Sequence, residues 1–266
     1  MSFIWNKKLS NLKDNMSVLQ TDQLDMVSRD PYEFSYPNNK KIRVTEETTR
    51  VTDYTFPLNG YIEEFESINY FFNLMPKDRR VTVLDLGAQS GLYTLYSKFF
   101  SNLDYHAFEP YNLSYKCLID NLALNSINNV KCNNIALGDI KREQILRVPD
   151  HKGLNTLGNT PLRFDTFEEI KVEVDTLDNL FYDKDIPVDF IKCDTEGYEY
   201  FIIKGGEKTL NKYHPELFLE VNETNCKQCG VTKEILLDLL SSMNYEIVNI
   251  KQNENYHFKY NAYKLS

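Results

Sequence analysis

Lys192, Asp194 and Glu196 fall within five consecutive positions of DFIKCDTEGYEY, Asp189 to Tyr200. Val188 to Cys193 reads as a buried strand, and charge is costly to bury, so these groups at its end need a reason. Three chemistries suit them. Asp194 or Glu196 can accept a proton as a general base, with Lys192 tuning the charge or holding a substrate oxygen. Asp194, Glu196 and Glu220 are all oxygen donors and can ligate magnesium, manganese or calcium. Alternatively, Asp194 and Glu196 only cap the turn, and Gly197 supplies a positive φ. Strand alternation puts Lys192 and Asp194 on one face and Cys193 on the other. Ligands in open parallel sheets bind beyond the carboxyl ends of the strands, which favours a functional role. Of the functional readings the base is preferred to the metal.

A second group lies upstream. DLGAQSG, Asp85 to Gly91, follows a strand and opens a helix, so Gly87, Ala88 and Gly91 suit close approach of a ligand to the backbone. The Gly-x-Gly-x-x-Gly fingerprint is absent, which argues against a dinucleotide. Glu109 ends the next strand, where a carboxylate can accept both hydroxyls of a ribose or be merely solvated. Asp139, in LGD, can accept from an adenine amine or serve a turn. Asp85 lies inside an apolar strand and needs a partner, either a ligand amine or a backbone N–H. Ribose, adenine and amine contacts without a diphosphate loop point to S-adenosylmethionine.

The elements that carry these residues alternate strand and helix. VTVLDL, LDYHAF and NVKCNNIALGD read as strands one to three, with NLSYKCLIDNLALN as a helix between the second and third. VDFIKCD is the fourth parallel strand and ELFLEVNE the fifth. Ile62, Phe65, Ile68 and Phe72 recur at helical spacing before Pro76, and Ile235, Leu236, Leu239, Leu240 and Met243 mark another amphipathic helix. REQILRV and IKVEVDT suggest a hairpin or lid inserted at about 140–175. The tail reads as two strands about a polar turn. This order predicts an α/β, Rossmann-like fold: a mostly parallel seven-stranded sheet, helices on both faces and a C-terminal antiparallel hairpin. KIRVTEETTRVTDY suggests one or two short strands, and the N-terminal extension over residues 1–55 is expected to hold short strands or a helix.

VLDLGAQSGLYT, FEPYNLSYKCLIDNLALNSINNV, ALGD, VEVDTLDNL, DFIKCDTEGYEYFIIKGG and PELFLEV together resemble the successive blocks of the FkbM-type methyltransferases. The likeness covers roughly residues 80–222. It implies a class I, S-adenosylmethionine-dependent methyltransferase domain over 56–266, with Asp85, Gly87, Gly91, Glu109 and Asp139 in the cofactor site. It also implies O-methylation of a sugar, glycan or similar hydroxyl. NTLGN, Asn155 to Asn159, resembles the family's polar loop before strand four and would line the acceptor site. Tyr93 and Tyr198 could pack on cofactor or sugar. Two rival readings share the fold. One is a ribose 2′-O-methyltransferase using Lys192, Asp194 and Glu220. The other is a non-catalytic cofactor-binding domain of a glycan-assembly complex.

Bulk properties narrow the choice. The chain has 266 residues, 42% hydrophobic and 26% charged, enough for a sizeable core. Net charge is −9, which repels phosphate backbones and lowers the expectation of a nucleic-acid partner. No apolar run is long enough to span a membrane, and the first residues lack a secretory h-region. Five cysteines do not form a disulfide framework, so a cytoplasmic setting is expected. CKQC, Cys226 to Cys229, has no second Cys pair or His pair to complete a zinc site. Gly-x-Ser-x-Gly is also missing, which removes a hydrolase elbow.

Overall fold

The computed structural model describes residues 32–35, 40–51, 64–150, 153–159, 166–251 and 254–265. Most of the N-terminal extension, Ile62, and both ends of the loop HKGLNTLGNTP lie outside these residues. The strands are β1 (Tyr32–Ser35), β2 (Lys41–Val44), β3 (Val81–Leu86), β4 (Leu103–Phe108), β5 (Val130–Asn133), β6 (Ala136–Leu137), β7 (Arg142–Pro149), β8 (Phe167–Asp175), β9 (Phe190–Cys193), β10 (Glu216–Glu220), β11 (Tyr245–Lys251) and β12 (Asn255–Tyr260). The helices are α1 (Glu46–Val51), α2 (Phe65–Asn73), α3 (Leu92–Tyr96), α4 (Asn112–Leu124), α5 (Glu199–Lys204), α6 (Glu207–Tyr213), α7 (Glu223–Gln228) and α8 (Lys233–Ser242).

Seven strands form one sheet in the order β11-β12-β10-β9-β3-β4-β5. The five strands from β10 to β5 are parallel, and β12 runs against both its neighbours. This is the Rossmann-like sheet with a C-terminal antiparallel hairpin that the strand order predicts. Alternation divides β3 between two cores. Val81 and Val83 pack with Ile68, Phe71 and Phe72 of α2, whereas Leu84 and Leu86 pack with Ile202 and Leu210 of α5 and α6. A strand covered on both faces must be apolar throughout, which is why Asp85 stands out in VTVLDL.

Two segments refine the sequence reading. In KIRVTEETTRV the first four residues form the strand β2 and EETTRV the helix α1, so the extension holds both a short strand and a helix. Glu46 and Glu47 suit its first turn. Thr48 is buried and donates to Asn121 Oδ1 of α4 at 3.2 Å. The expected third strand is broken in two. β5 ends at Asn133, Asn134 Nδ2 donates to the Glu109 carbonyl at 2.8 Å, and β6 then joins a separate sheet of order β6-β8-β7. In that sheet β7 and β8 are antiparallel, from Arg142↔Val174 to Pro149↔Phe167. No described helix is long and apolar enough to cross a membrane.

Candidate active site

The carboxyl ends of β3, β4, β9 and β10 border a cavity of about 360 Å³. Asp85 lies directly opposite Lys192 in the β3–β9 register, on the side occupied by α2 and α3. Both are buried, at 0% and 4% exposed. Asp85 Oδ2 accepts from Thr94 Oγ1 at 2.7 Å and Tyr105 Oη at 3.2 Å, so hydroxyls, not a backbone N–H, satisfy that oxygen. Its other oxygen faces Lys192 Nζ at 3.6 Å. Lys192 Nζ also lies 3.5 Å from Asp194 and 5.0 Å from the Tyr93 ring centroid. Burial alone would discharge this lysine, but the Asp194 and Asp85 carboxylates outweigh it and hold the ammonium above its ordinary range. Lys192 is therefore a fixed cation at neutral pH and cannot serve as a base.

Glu109 is 5% exposed at the end of β4. Burial raises its carboxyl to about 7, partly countered by the N–H groups of Tyr111 (2.8 Å) and Gln89 (3.0 Å). Each oxygen takes one backbone donor and keeps a lone pair for a ligand hydroxyl. Phe108, Leu137, Leu146, Leu157 and Ile202 form an apolar wall, with Tyr198 beside them. The Tyr198 hydroxyl donates to Gln144 Oε1 of β7 at 2.9 Å. Gln89 Oε1 and Asn155 Oδ1 are buried without a hydrogen-bond partner, and both residues line the cavity. Orphaned acceptors at a cavity wall fit a polar ligand.

The turn after β9 carries the acids. Glu196 (φ 55°) and Gly197 (φ 100°) are both left-handed, which costs a non-glycine residue about 1 kcal/mol. Glu196 is held there from several sides. Its carbonyl accepts from Gln228 Nε2 at 2.7 Å and from Thr156 Oγ1 at 3.1 Å. Its carboxylate and that of Glu220 accept from Asn225 Nδ2, at 2.8 and 3.1 Å. Ligand-type oxygens of Asp194, Glu196 and Glu220 lie within 4.8 Å of one another, the one group of three or more His, Cys, Asp or Glu side chains among the described residues that is close enough to hold a metal. Burial and the neighbouring Asp194, Glu196 and Glu199 push the Glu220 carboxyl well above the usual carboxylate range. Glu199, raised by burial to about 7, accepts from Thr195 N and Oγ1 and shapes the turn.

The structure thus brings together Lys192, Asp194, Glu196, Glu220, Asp85, Gly87, Ala88, Glu109, Asn155, Tyr93 and Tyr198 around one cavity. Gly91 and Asp139 do not line it. Gly91 lies against α4, where a Cβ would meet Leu118 Cδ1 at 2.7 Å, and Asp139 pairs with Arg142 at 3.1 Å. Gly87 lines the cavity with its backbone, and a Cβ there would point away from it, 1.9 Å from the Asp194 carbonyl oxygen. Cys226 and Cys229 are buried with thiols pushed up by burial to about 12, and no metal-ligating group forms around them among the described residues. Thr156 falls within NTLGN, but Asn225 and Gln228 were not singled out by the sequence. The available signal was two amides three apart in NETNCKQ, which share one face of α7.

The fold can be compared with solved structures. A methyltransferase FkbM from Methylobacillus flagellatus KT matches with TM-score 0.47 at 19% identity, over 71% of this chain and 45% of that one. The chain thus spans less than half of that protein's length. Ribosomal protein L11 methylase from Lactobacillus delbrueckii subsp. bulgaricus matches with TM-score 0.44 at 12% identity, covering 74% and 78%. Precorrin-6y C5,15-methyltransferase from Geobacter metallireducens GS-15 gives 0.44 at 13%, covering 78% and 90%. No curated protein matches the chain in sequence. The Methyltransferase FkbM domain matches residues 85–247, which is more than half of the chain and runs from Asp85 past the Glu196–Asn225–Glu220 cluster, and the chain belongs to that family.

Proposed function

We propose that the chain transfers a methyl group from S-adenosylmethionine to a hydroxyl of a sugar, glycan or similar small acceptor. The observation that carries this reading is one cavity with Glu109 and the apolar wall at one end and Lys192, Asp194, Glu196 and Glu220 at the other. Glu109 would hold the ribose hydroxyls, the apolar wall the adenine and Asp85 the ammonium group. The cofactor supplies an electrophilic methyl group on sulfur. The protein then has to present an oxygen nucleophile in line and remove its proton. Asp194 accepts that proton. Lys192, locked between Asp85 and Asp194, sets its positive charge beside Asp194 and offers its ammonium to the acceptor oxygen. Glu196 and Glu220, tied by Asn225, hold neighbouring acceptor hydroxyls. Five lining acids, Glu64, Asp85, Glu109, Asp194 and Glu196, against Lys192 as the one lining base among the described residues disfavour a phosphate-rich acceptor such as RNA. Titration with S-adenosylhomocysteine, followed by a mass-spectrometric methylation screen over neutral and charged glycans, tests the reading. Absence of any binding would end it.

The ribose assignment has its own signature. Glu109 must be ionised to accept two hydroxyl donors, and its carboxyl is raised to about 7. Affinity for S-adenosylhomocysteine is therefore expected to rise about 5- to 10-fold from pH 6 to pH 8, the change in ionised fraction for such a group. Calorimetry at three pH values measures it, and a flat profile would remove Glu109 from ribose binding.

A second reading follows from the three clustered carboxylates, whose all-oxygen donor set fits a hard divalent cation. Asp194, Glu196 and Glu220 would hold it, and it would lower the acceptor's pKa. Asn225 Nδ2 already occupies one oxygen each of Glu196 and Glu220, which favours the metal-free base. Transfer in EDTA is expected to stay within about twofold of the untreated rate, whereas a metal-assisted step would lose most of its acceleration.

Glu220 also affects stability. It keeps its proton when folded and loses it when unfolded, because its folded pKa is raised. Its contribution is full below the ordinary carboxylate pKa and declines as pH rises through neutrality. Glu220→Gln should therefore melt roughly 2–6 °C above the wild type at pH 8, about 1–2 kcal/mol, and close to it at pH 5. A lower melting temperature for the variant at pH 8 would contradict the protonated state.

A further inference from the structure

β11 is the outer edge of the seven-stranded sheet, and among the described residues no strand pairs with its free side. Its ladder with β12 skips Val248: Ile247 faces Phe258, Asn249 faces His257 and Ile250 faces Tyr256. Plain alternation would put Ile247 and Ile250 on opposite faces. The extra residue puts them on the same face, that of Tyr256 and Phe258. Those two aromatics and Tyr245 are buried with Leu236 and Leu240 of α8. The cover ends there: Ile247 is 46%, Val248 50% and Ile250 53% exposed. An open strand edge bearing three exposed β-branched side chains is a site for strand pairing.

We propose that this edge pairs with the same edge of a second copy, antiparallel about a two-fold axis. The strand is self-complementary in one register. Centred between Val248 and Asn249, it sets Glu246 opposite the partner's Lys251 and Ile247 opposite the partner's Ile250. The shared bulge keeps the isoleucines of both copies on the α8 face and the charges on the other. Glu246 and Lys251 are the only charged residues of β11. Shifting the register by two residues either way separates them. Each is already held at its end of the strand: Asn261 Nδ2 donates to Glu246 at 2.9 Å, and Lys251 Nζ lies 4.0 Å from the Tyr70 ring centroid. A two-fold axis repeats every favourable pair.

Sedimentation velocity of the full chain tests this independently of any methyl transfer. The wild type is expected to be dimeric at about 10 µM and above, the range of a modest but specific interface. Ile250→Lys should weaken association by about 100-fold, since it puts a charge into the apolar contact. Glu246→Lys and Lys251→Glu should each weaken it about 10-fold by placing like charges opposite one another, and the double exchange should return to within about threefold of wild type. Should Ile250→Lys fail to fold, as judged by circular dichroism, the charge exchange still decides. A wild type that stays monomeric at roughly 100 µM, a dimer indifferent to these changes, or a double variant that does not recover would each overturn the proposal.

Discussion

Asp194→Asn is expected to lower methyl transfer by about 10²- to 10⁴-fold, the range for loss of a positioned general base. The affinity for S-adenosylhomocysteine should move by less than about threefold, since the base acts on the acceptor, not the cofactor. The amide keeps the size of the side chain but cannot take a proton. No neighbour replaces it. Lys192 is already protonated, held so by carboxylates on both sides. Glu220 is held in its neutral form by burial and by the acids around it. Glu196 is fixed by Asn225 through its side chain and by Gln228 and Thr156 through its carbonyl. The fold should survive, because Asp85 still faces Lys192 at 3.6 Å and leaves no buried cation unpaired. Glu196→Gln should lose only about 10-fold, as its amide can still engage an acceptor hydroxyl. Rates from single-turnover methylation of the acceptor found by screening would measure both. If Asp194→Asn lost less than Glu196→Gln, the proton would go to Glu196 instead.

The sheet and its site edge were legible in the sequence because strands buried on both faces leave apolar runs, and each such run ended in a polar group that needs explaining. Asp85 and Lys192 were the strongest signals: charges in VTVLDL and VDFIKC that apolar alternation cannot absorb. Their direct apposition was not legible, since cross-strand register depends on strand order and stagger. What the two glycines of DLGAQSG make room for was not legible, for a related reason. A glycine demanded by close approach looks the same in sequence whether a ligand or a neighbouring strand approaches, and here it is Asp194 and Leu118 that do. Asn225 directly precedes CKQC, whose cysteines invited a zinc reading that the ligand count rejected. Its amide meets two acids lying 29 and 5 positions away, a convergence that only tertiary packing creates.

Gly87→Ala is expected to be among the most damaging small substitutions in the site. Two separate penalties apply. Gly87 has φ +77°, where alanine is disfavoured by about 1–2 kcal/mol. An added Cβ would also lie 1.9 Å from the Asp194 carbonyl oxygen and 3.0 Å from its carbon. The backbone has little room to yield. Gly87 N donates to Phe108 O at 3.1 Å, and Asp194 N donates to Leu86 O at 3.0 Å, so moving either chain breaks pairing among β3, β4 and β9. Gly230 separates the two penalties. It has a similar φ of +80°, but a Cβ there meets nothing within 4 Å. Gly230→Ala should thus cost only about 1–2 kcal/mol, whereas Gly87→Ala should cost at least about 4 and displace Asp194 from the cavity. Urea denaturation of both variants reads the difference directly. Equal losses would mean that the β3 loop and the Asp194 backbone are not in contact, and the placement of the proposed base beside that loop would fall with it.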